Sequence, residues 1–133
     1  MNPRYPRVAR RAAHRCEYCR APEAIFNFPF EVEHITPLRW EGADDLTNLA
    51  LACRSCNLYK ADHIIGTDPI TQSSPHLFHP RRDVWEQHFQ IDLETGAVRG
   101  ITEVGRGTVA RLQMNSLAQL SARWAWMRLG IFP

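Results

Sequence analysis

Glu33 and His34 stand side by side, Asn48 follows, and Asn57 comes directly after a Cys-x-x-Cys pair at Cys53 and Cys56, with a second such pair upstream at Cys16 and Cys19. These residue types suit hydrolysis of a phosphodiester. That reaction needs an activated water, a cation to neutralise charge developing on the phosphoryl oxygens, and groups that hold both in line. An imidazole titrates near neutral pH, so His34 can serve as general base. Glu33 offers a hard carboxylate oxygen, and Asn57 an amide oxygen from the first turn of a helix. Oxygen donors completed by water favour Mg2+ or Mn2+ over Zn2+ as the catalytic ion. Lys60, one helical turn beyond Asn57, can meet a phosphate. Asn48 can hydrogen-bond the backbone of the loop that precedes it and so hold the surroundings of His34 in place.

The cysteines imply a different metal. Cys16, Cys19, Cys53 and Cys56 account for all four in the chain, and two Cys-x-x-Cys pairs brought together close a tetrahedral zinc site with no position left for water or substrate. Disulfides and a redox Cys-x-x-Cys are the other readings, but no signal peptide is evident and a redox motif needs only one pair. The zinc is therefore expected to be structural, replacing burial that a small domain cannot easily provide.

The elements that must position these groups follow from patterning. Residues 5 to 15 read as a short helix leading into the first cysteine pair. Phe28 to Ile35 and Asn48 to Cys53 read as strands separated by a polar loop that Pro37 opens, and helical character resumes from Ser55 to about His63. Gly66 to Pro80, with prolines at 69, 75 and 80, should run over the surface as an ordered loop. Val84 to Asp92 and Ala97 to Val104 read as a hairpin turning at Glu94-Thr95-Gly96. A helix is expected after Gly105-Arg106-Gly107-Thr108. Another, announced by Asn115-Ser116, carries Leu117, Leu120, Trp124 and Met127 as a core-facing stripe and stops at Gly130. Trp85, Trp124 and Trp126 are expected to be packing residues, and His88 a satisfied core histidine.

Charge is unevenly laid out along the 133 residues. Residues 1 to 20 hold six arginines against Glu17, whereas residues 21 to 50 hold six acids against Arg39. Lys60 is the only lysine, and the guanidinium fork suits bidentate phosphate contact. Arg10 and Arg11, Arg54 and Lys60, and Arg81 and Arg82 are the expected contacts to nucleic acid. No stretch approaches the roughly 20 apolar residues of a membrane span, so a cytoplasmic protein with no membrane partner is expected. The length suits one domain.

Glu33-His34-Ile35-x-Pro37 followed by Asp45-Leu46-Thr47-Asn48-Leu49-Ala50-Leu51-Ala52-Cys53-x-x-Cys56-Asn57-x-x-Lys60 resembles the HNH endonuclease motif nearly end to end. The resemblance covers residues 16 to 60 and implies a ββα-metal (His-Me finger) fold. In that fold His34 would be the general base, Glu33 and Asn57 ligands of the catalytic Mg2+ or Mn2+, and Asn48 the residue that steadies the loop, with 5′-phosphate and 3′-hydroxyl products. From Leu77-Phe78-His79-Pro80-Arg81-Arg82-Asp83 to Leu112 the chain is similar to the tail of small stand-alone bacterial HNH proteins. Two positions depart from the usual pattern: Glu33 stands where Asp is commoner, with Glu31 on the same strand face, and Asn57 replaces the final His. Because neighbours on a strand face opposite ways, Glu33 and His34 can share one site only at a distorted strand or a strand end.

The expectation is thus an α+β chain. Residues 1–133 form one endonuclease domain, with a zinc-stapled core at 16–63 and a C-terminal hairpin and two helices at 80–133. It acts on nucleic acid, DNA foremost, as a monomer or homodimer. The competing reading is a catalytically inactive, zinc-stabilised nucleic-acid-binding module.

Overall fold

The computed structural model describes all 133 residues. Pro6 in the first turn starts helix α1 (Tyr5–Arg11), which buries Val8 and Ala9 against the first sheet. That sheet pairs β1 (Glu31–His34) with β2 (Leu49–Ala52), antiparallel, in the register Glu31 to Ala52, Val32 to Leu51, Glu33 to Ala50 and His34 to Leu49. All of β2 is buried, as its unbroken Leu-Ala-Leu-Ala run requires. Cys53 ends the strand and caps α2 (Arg54–Lys60), its sulfur accepting from the Cys56 N–H. No bulge distorts β1; His34 is its last residue, so strand-end geometry holds there.

The C-terminal part is a one-turn helix α3 (Trp85–His88), the hairpin β3 (Phe89–Ile91) and β4 (Val98–Gly100), and helices α4 (Glu103–Arg111) and α5 (Leu117–Arg128). Two small antiparallel sheets and five helices make the fold mixed α and β. No helix is long and apolar enough to cross a membrane.

Three expectations fail here. The run from Val84 is helical before it becomes a strand, and this turn lets Trp85 donate from Nε1 to the Tyr18 carbonyl at 2.8 Å. Helix α4 begins earlier than expected, capped by Thr102, and takes in Gly105 and Gly107. A Cβ on Gly105 would lie 2.0 Å from the His88 carbonyl oxygen, so this glycine is selected by close backbone approach rather than by a turn. The apolar stripe of α5 also faces the other way. Leu117 is 83% and Trp124 46% exposed, Leu120 and Met127 are only half-buried, and the inward face carries Gln119, Arg123 and Trp126. Trp85 and Trp126 do pack in the core, and half-buried His88 bonds Thr102 at 2.6 Å, with its ring edge-on to Phe78.

The loop after Gly66 is ordered by Asp68, which is fully buried and held in a fork by Arg106 (Nε 3.0 Å, Nη2 2.8 Å) on α4. That contact and a bond from Ile70 N–H hold its carboxyl well below the usual carboxylate range. From there the loop reaches back to Ile35 and Thr36, enclosing with them a cavity of about 510 Å3.

Candidate functional site

The four cysteines converge as their spacing requires. Each is at most 2% exposed, none forms a disulfide, and their sulfurs all lie within 4.8 Å of one another. Zn–S bonds of about 2.3 Å put tetrahedral sulfurs about 3.8 Å apart; Cys19 and Cys53 Sγ are 3.7 Å apart. The Cys19 N–H also points at the Cys16 sulfur. Burial alone would push the Cys16 thiol up, but hydrogen bonds from Cys19, Cys53 and Cys56 pull it well below its ordinary value. Hydrogen bonds within the cluster push Cys19 and Cys56 the other way, well up, so it is the convergence of four buried sulfurs at this spacing that suits a structural metal such as zinc. Its four thiolates leave no open position for chemistry.

Around the chemistry-bearing motif, Asn48 is the best-anchored residue. Its Oδ1 accepts from the Thr36 N–H at 2.9 Å, and its Nδ2 donates to the Thr36 and Ala43 carbonyls, each at 2.8 Å. Both ends of the loop that follows His34 are thereby fastened to the start of β2. Gly42 fits under this clamp because it has no side chain: a Cβ there would lie 1.9 Å from the Thr36 oxygen and 2.8 Å from Asn48 Nδ2. Gly42→Ala should therefore displace the clamp, costing about 1–3 kcal/mol as overpacking does. Urea denaturation measures the loss, and an unchanged midpoint would contradict it.

His34 is 28% exposed at its side chain, and its Nε2 lies 2.9 Å from Asp44 Oδ1. Arg4 reaches the same carboxylate at 2.6 Å. The ring of His34 first, then Arg4, holds the Asp44 carboxyl below its ordinary value. The sequence reading missed Asp44; its only local signal is an acid in the polar loop before Asn48, and proximity to His34 depends on how that loop folds back.

Glu33 departs most from expectation. It projects from the opposite face of β1 and is buried, 3.0 Å from Lys60 Nζ and hydrogen-bonded by the Tyr18 hydroxyl. Burial raises its pKa, and the Lys60 charge and the Tyr18 bond offset that only in part. Lys60 is 1% exposed; its ammonium also donates to the Ile35 carbonyl at 2.9 Å. It is an internal charge tying α2 to β1, which corrects its expected place on a nucleic-acid surface. Removing one member of such a pair strands the other without water, so Lys60→Met should cost about 3–5 kcal/mol, much of it recovered in the Glu33→Gln, Lys60→Met double variant. Denaturation of the four-protein cycle checks this; equal losses in single and double variants would refute it.

The α2-facing side of β1 does bring a carboxylate to Asn57, but it is Glu31, which accepts from Asn57 Nδ2 and lies 3.4 Å from Arg54. Turning its nitrogen toward Glu31 leaves the Asn57 amide oxygen available.

The arginines divide. Arg11 is fastened to the Leu46 and Leu49 carbonyls (2.8 and 2.6 Å), Arg81 pairs with Glu17, and Arg54 leans on Glu31. Arg10 and Arg82 are exposed and form no ion pair. Arg11, Arg81 and Arg82 meet across a concavity of about 450 Å3 with Leu46 and Thr47, beside the clamped loop. His79 lies next to them, half-buried, its pKa lowered by burial and then by the Arg82 charge.

Helix α2 crosses both strands of the β1–β2 hairpin, and one unit thus carries the cysteine cage, the Asn48 clamp, His34 at a strand end and Asn57 on the helix. No curated protein and no solved structure matches the chain, but residues 16–63, from the first cysteine of the cage to just past α2, match the HNH endonuclease family.

Proposed function

We propose that this protein is a divalent-metal-dependent endonuclease that hydrolyses phosphodiester bonds of DNA, with residues 1–133 acting as one catalytic domain and β1, β2 and α2 as its ββα-metal core. The observation that carries the reading is the placement of His34: partly exposed at a strand end, next to a carboxylate, and at the mouth of a loop that Asn48 holds with three hydrogen bonds.

A carboxylate only accepts hydrogen bonds, so Asp44 keeps the proton of the neutral imidazole on Nε2 and leaves Nδ1 with the lone pair that a base requires. In the proposed step Nδ1 takes a proton from the attacking water, whose oxygen bonds to phosphorus as the bond from phosphorus to the 3′ oxygen breaks; the leaving oxygen takes up a proton from solvent, giving 5′-phosphate and 3′-hydroxyl ends. Asn48 keeps the loop, and with it the direction of the imidazole, from drifting. Arg10, and Arg82 with the concavity it lines beside Arg11 and Arg81, hold the flanking phosphates by charge. Glu31 and the free amide oxygen of Asn57 are hard donors that suit Mg2+ or Mn2+; they lie on the face of β1 opposite His34, so a phosphate served by both has to sit across the strand end. Such an ion, when bound, supplies neutralisation of charge on the phosphoryl and leaving oxygens. Glu33, with its carboxylate held by Lys60 and Tyr18, would have to leave that pair to join them.

The test incubates pure protein with supercoiled plasmid and Mg2+ or Mn2+, with and without chelator. Metal-dependent relaxation to nicked circles is expected. Intact plasmid under every condition, with plasmid still bound, would instead establish a nucleic-acid-binding module without activity.

A further inference from the structure

The cavity that the loop after Gly66 encloses with Ile35 and Thr36 takes no part in the step at His34. Its volume, about 510 Å3, is that of a small-molecule site, about 300–1,000 Å3. Ile35, Leu77 and Phe78, each at most 5% exposed, give it an apolar lining, and Ile64 and Ile65 form an edge open to solvent. Three polar residues of the lining have bonding capacity left over. Asp83 engages His76 at 3.1 Å and the His79 N–H at 2.9 Å through Oδ2 alone, so its Oδ1 is a free acceptor. His79 accepts the Arg81 N–H on Nδ1 at 3.2 Å, and burial keeps the ring neutral, which puts its proton on Nε2 as a donor without a partner. The Thr36 hydroxyl is also unbonded, since Asn48 holds only the backbone of that residue.

Arg82 joins this cavity to the concavity of Arg11 and Arg81, because it lines both. A cationic shelf that suits phosphate therefore stands beside an apolar pocket with an acceptor, a donor and a hydroxyl in its lining. A nucleotide carries the same two chemistries side by side: an anionic phosphate and, across the sugar, a base with apolar faces and an edge of donors and acceptors. The chain places this pocket next to the chemistry as well, since Thr36 is two residues from His34 and its Cα lies within about 7 Å of that residue's. A base stacked and paired in duplex offers neither its faces nor its pairing edge. Entry requires a base that is already unpaired, or one drawn out of the stack at a cost that is least where pairing is broken.

We propose that this cavity receives one unpaired nucleobase of the bound strand while Arg82 holds the adjoining phosphate, so that the protein selects single-stranded or locally unpaired nucleic acid over perfect duplex. The inference rests on the reading of the chain as acting on nucleic acid and adds the class of substrate to it.

The experiment measures affinity by fluorescence anisotropy, using the full chain as purified with no Mg2+ or Mn2+ added. Three DNA probes differ at one position: a perfect duplex, the same duplex with a single bulged nucleotide, and that bulge made abasic. The abasic probe keeps the distortion and the phosphates and lacks only the base. The bulged probe should bind about 10-fold or more tighter than the perfect duplex, the scale of one stacked base, and the abasic probe within about threefold of the perfect duplex. Ile65→Trp adds bulk at the cavity edge from an exposed position, so it should erase the preference for the bulge and leave perfect-duplex affinity unchanged. Asp83→Asn puts an amide donor in place of the free acceptor and should reduce the preference severalfold; should it fail to fold, Ile65→Trp decides alone. Equal binding of all three probes, an abasic bulge bound as tightly as the intact one, a preference that survives Ile65→Trp, or no binding to any probe would each overturn the proposal. Cleavage plays no part in this readout. A chain that prefers the intact bulge yet never nicks plasmid would end the nuclease reading and keep the pocket, and one that nicks but treats the probes alike would do the reverse.

Discussion

His34→Ala should reduce metal-dependent plasmid nicking by about 10^2- to 10^4-fold, the usual contribution of a general base, while leaving the thermal midpoint and zinc content as in wild type. The two halves of this expectation have separate causes. Activity falls because His34 is the imidazole held against Asp44 at the end of β1, whereas His14 bonds Glu23, His76 bonds Asp83 and His88 bonds Thr102. Stability is spared because the side chain is only partly buried and its side-chain partner, Asp44, is a surface group that keeps Arg4 when the imidazole is gone. The register of β1 with β2 is made by backbone groups and survives the truncation. Asn48→Ala supplies the contrast. It leaves His34 in place but removes three hydrogen bonds from a buried position, so it should lower both activity and stability. Nicking by His34→Ala at the wild-type rate would remove the imidazole from the mechanism. A parallel fall in melting temperature would make His34 a structural residue instead.

Loss of the cage metal should unfold the protein outright. Chelation, or Cys53→Ser, is expected to abolish the cooperative thermal transition and the dispersion of the amide NMR spectrum. The four sulfurs sit inside the hydrophobic cluster that runs from Val8 to Phe132, so the metal-free state buries thiols at van der Waals distance with nothing to bind them. Cys53 also caps α2, so its replacement frees the helix start as well. Structural zinc contributes about 10–16 kcal/mol in small zinc-binding peptides, as much as or more than the whole stability of an ordinary domain, about 5–15 kcal/mol. A catalytic Mg2+ or Mn2+ has no such reach. Protein freed of exchangeable metal by dialysis but retaining zinc should be folded and inactive, and added Mg2+ or Mn2+ should restore nicking at once. A cooperative melt that persists in the zinc-free protein would show that the hydrophobic cluster suffices without the cage.

Much of this architecture is legible from residue order alone, because it depends on short-range rules. Two Cys-x-x-Cys pairs declare a four-sulfur cage wherever the fold brings them together. Ser116 caps α5, Gly96 adopts the left-handed conformation at the hairpin turn, and Leu49 to Ala52 reads as a strand buried on both faces. Asn48 at the mouth of the loop is legible too, since an amide there has backbone partners within reach.

The misread elements share one property: their fate depends on partners distant in the chain. Gly105 looks like a loop residue until His88 is seen pressed against it. The Leu117, Leu120, Trp124 and Met127 spacing is truly helical, yet spacing specifies only which residues share a face, not which face turns inward. That choice went to Gln119, Arg123 and Trp126, because the carbonyls of Gly96 and Met114 and the ring of Phe26 wait on that side. Lys60 and Glu33 look like surface chemistry one helical turn and one strand apart, and the packing of α2 on β1 makes them a buried pair. Residue types and their spacing therefore determined the inventory of this protein: a sulfur cage, an imidazole, two amides and a supply of carboxylates. Tertiary structure decided the assignment of those carboxylates, Glu33 inward to Lys60, Glu31 to Asn57 and Asp44 to His34, because a carboxylate's role is set by the charge and burial around it, and those come from residues far away in the chain.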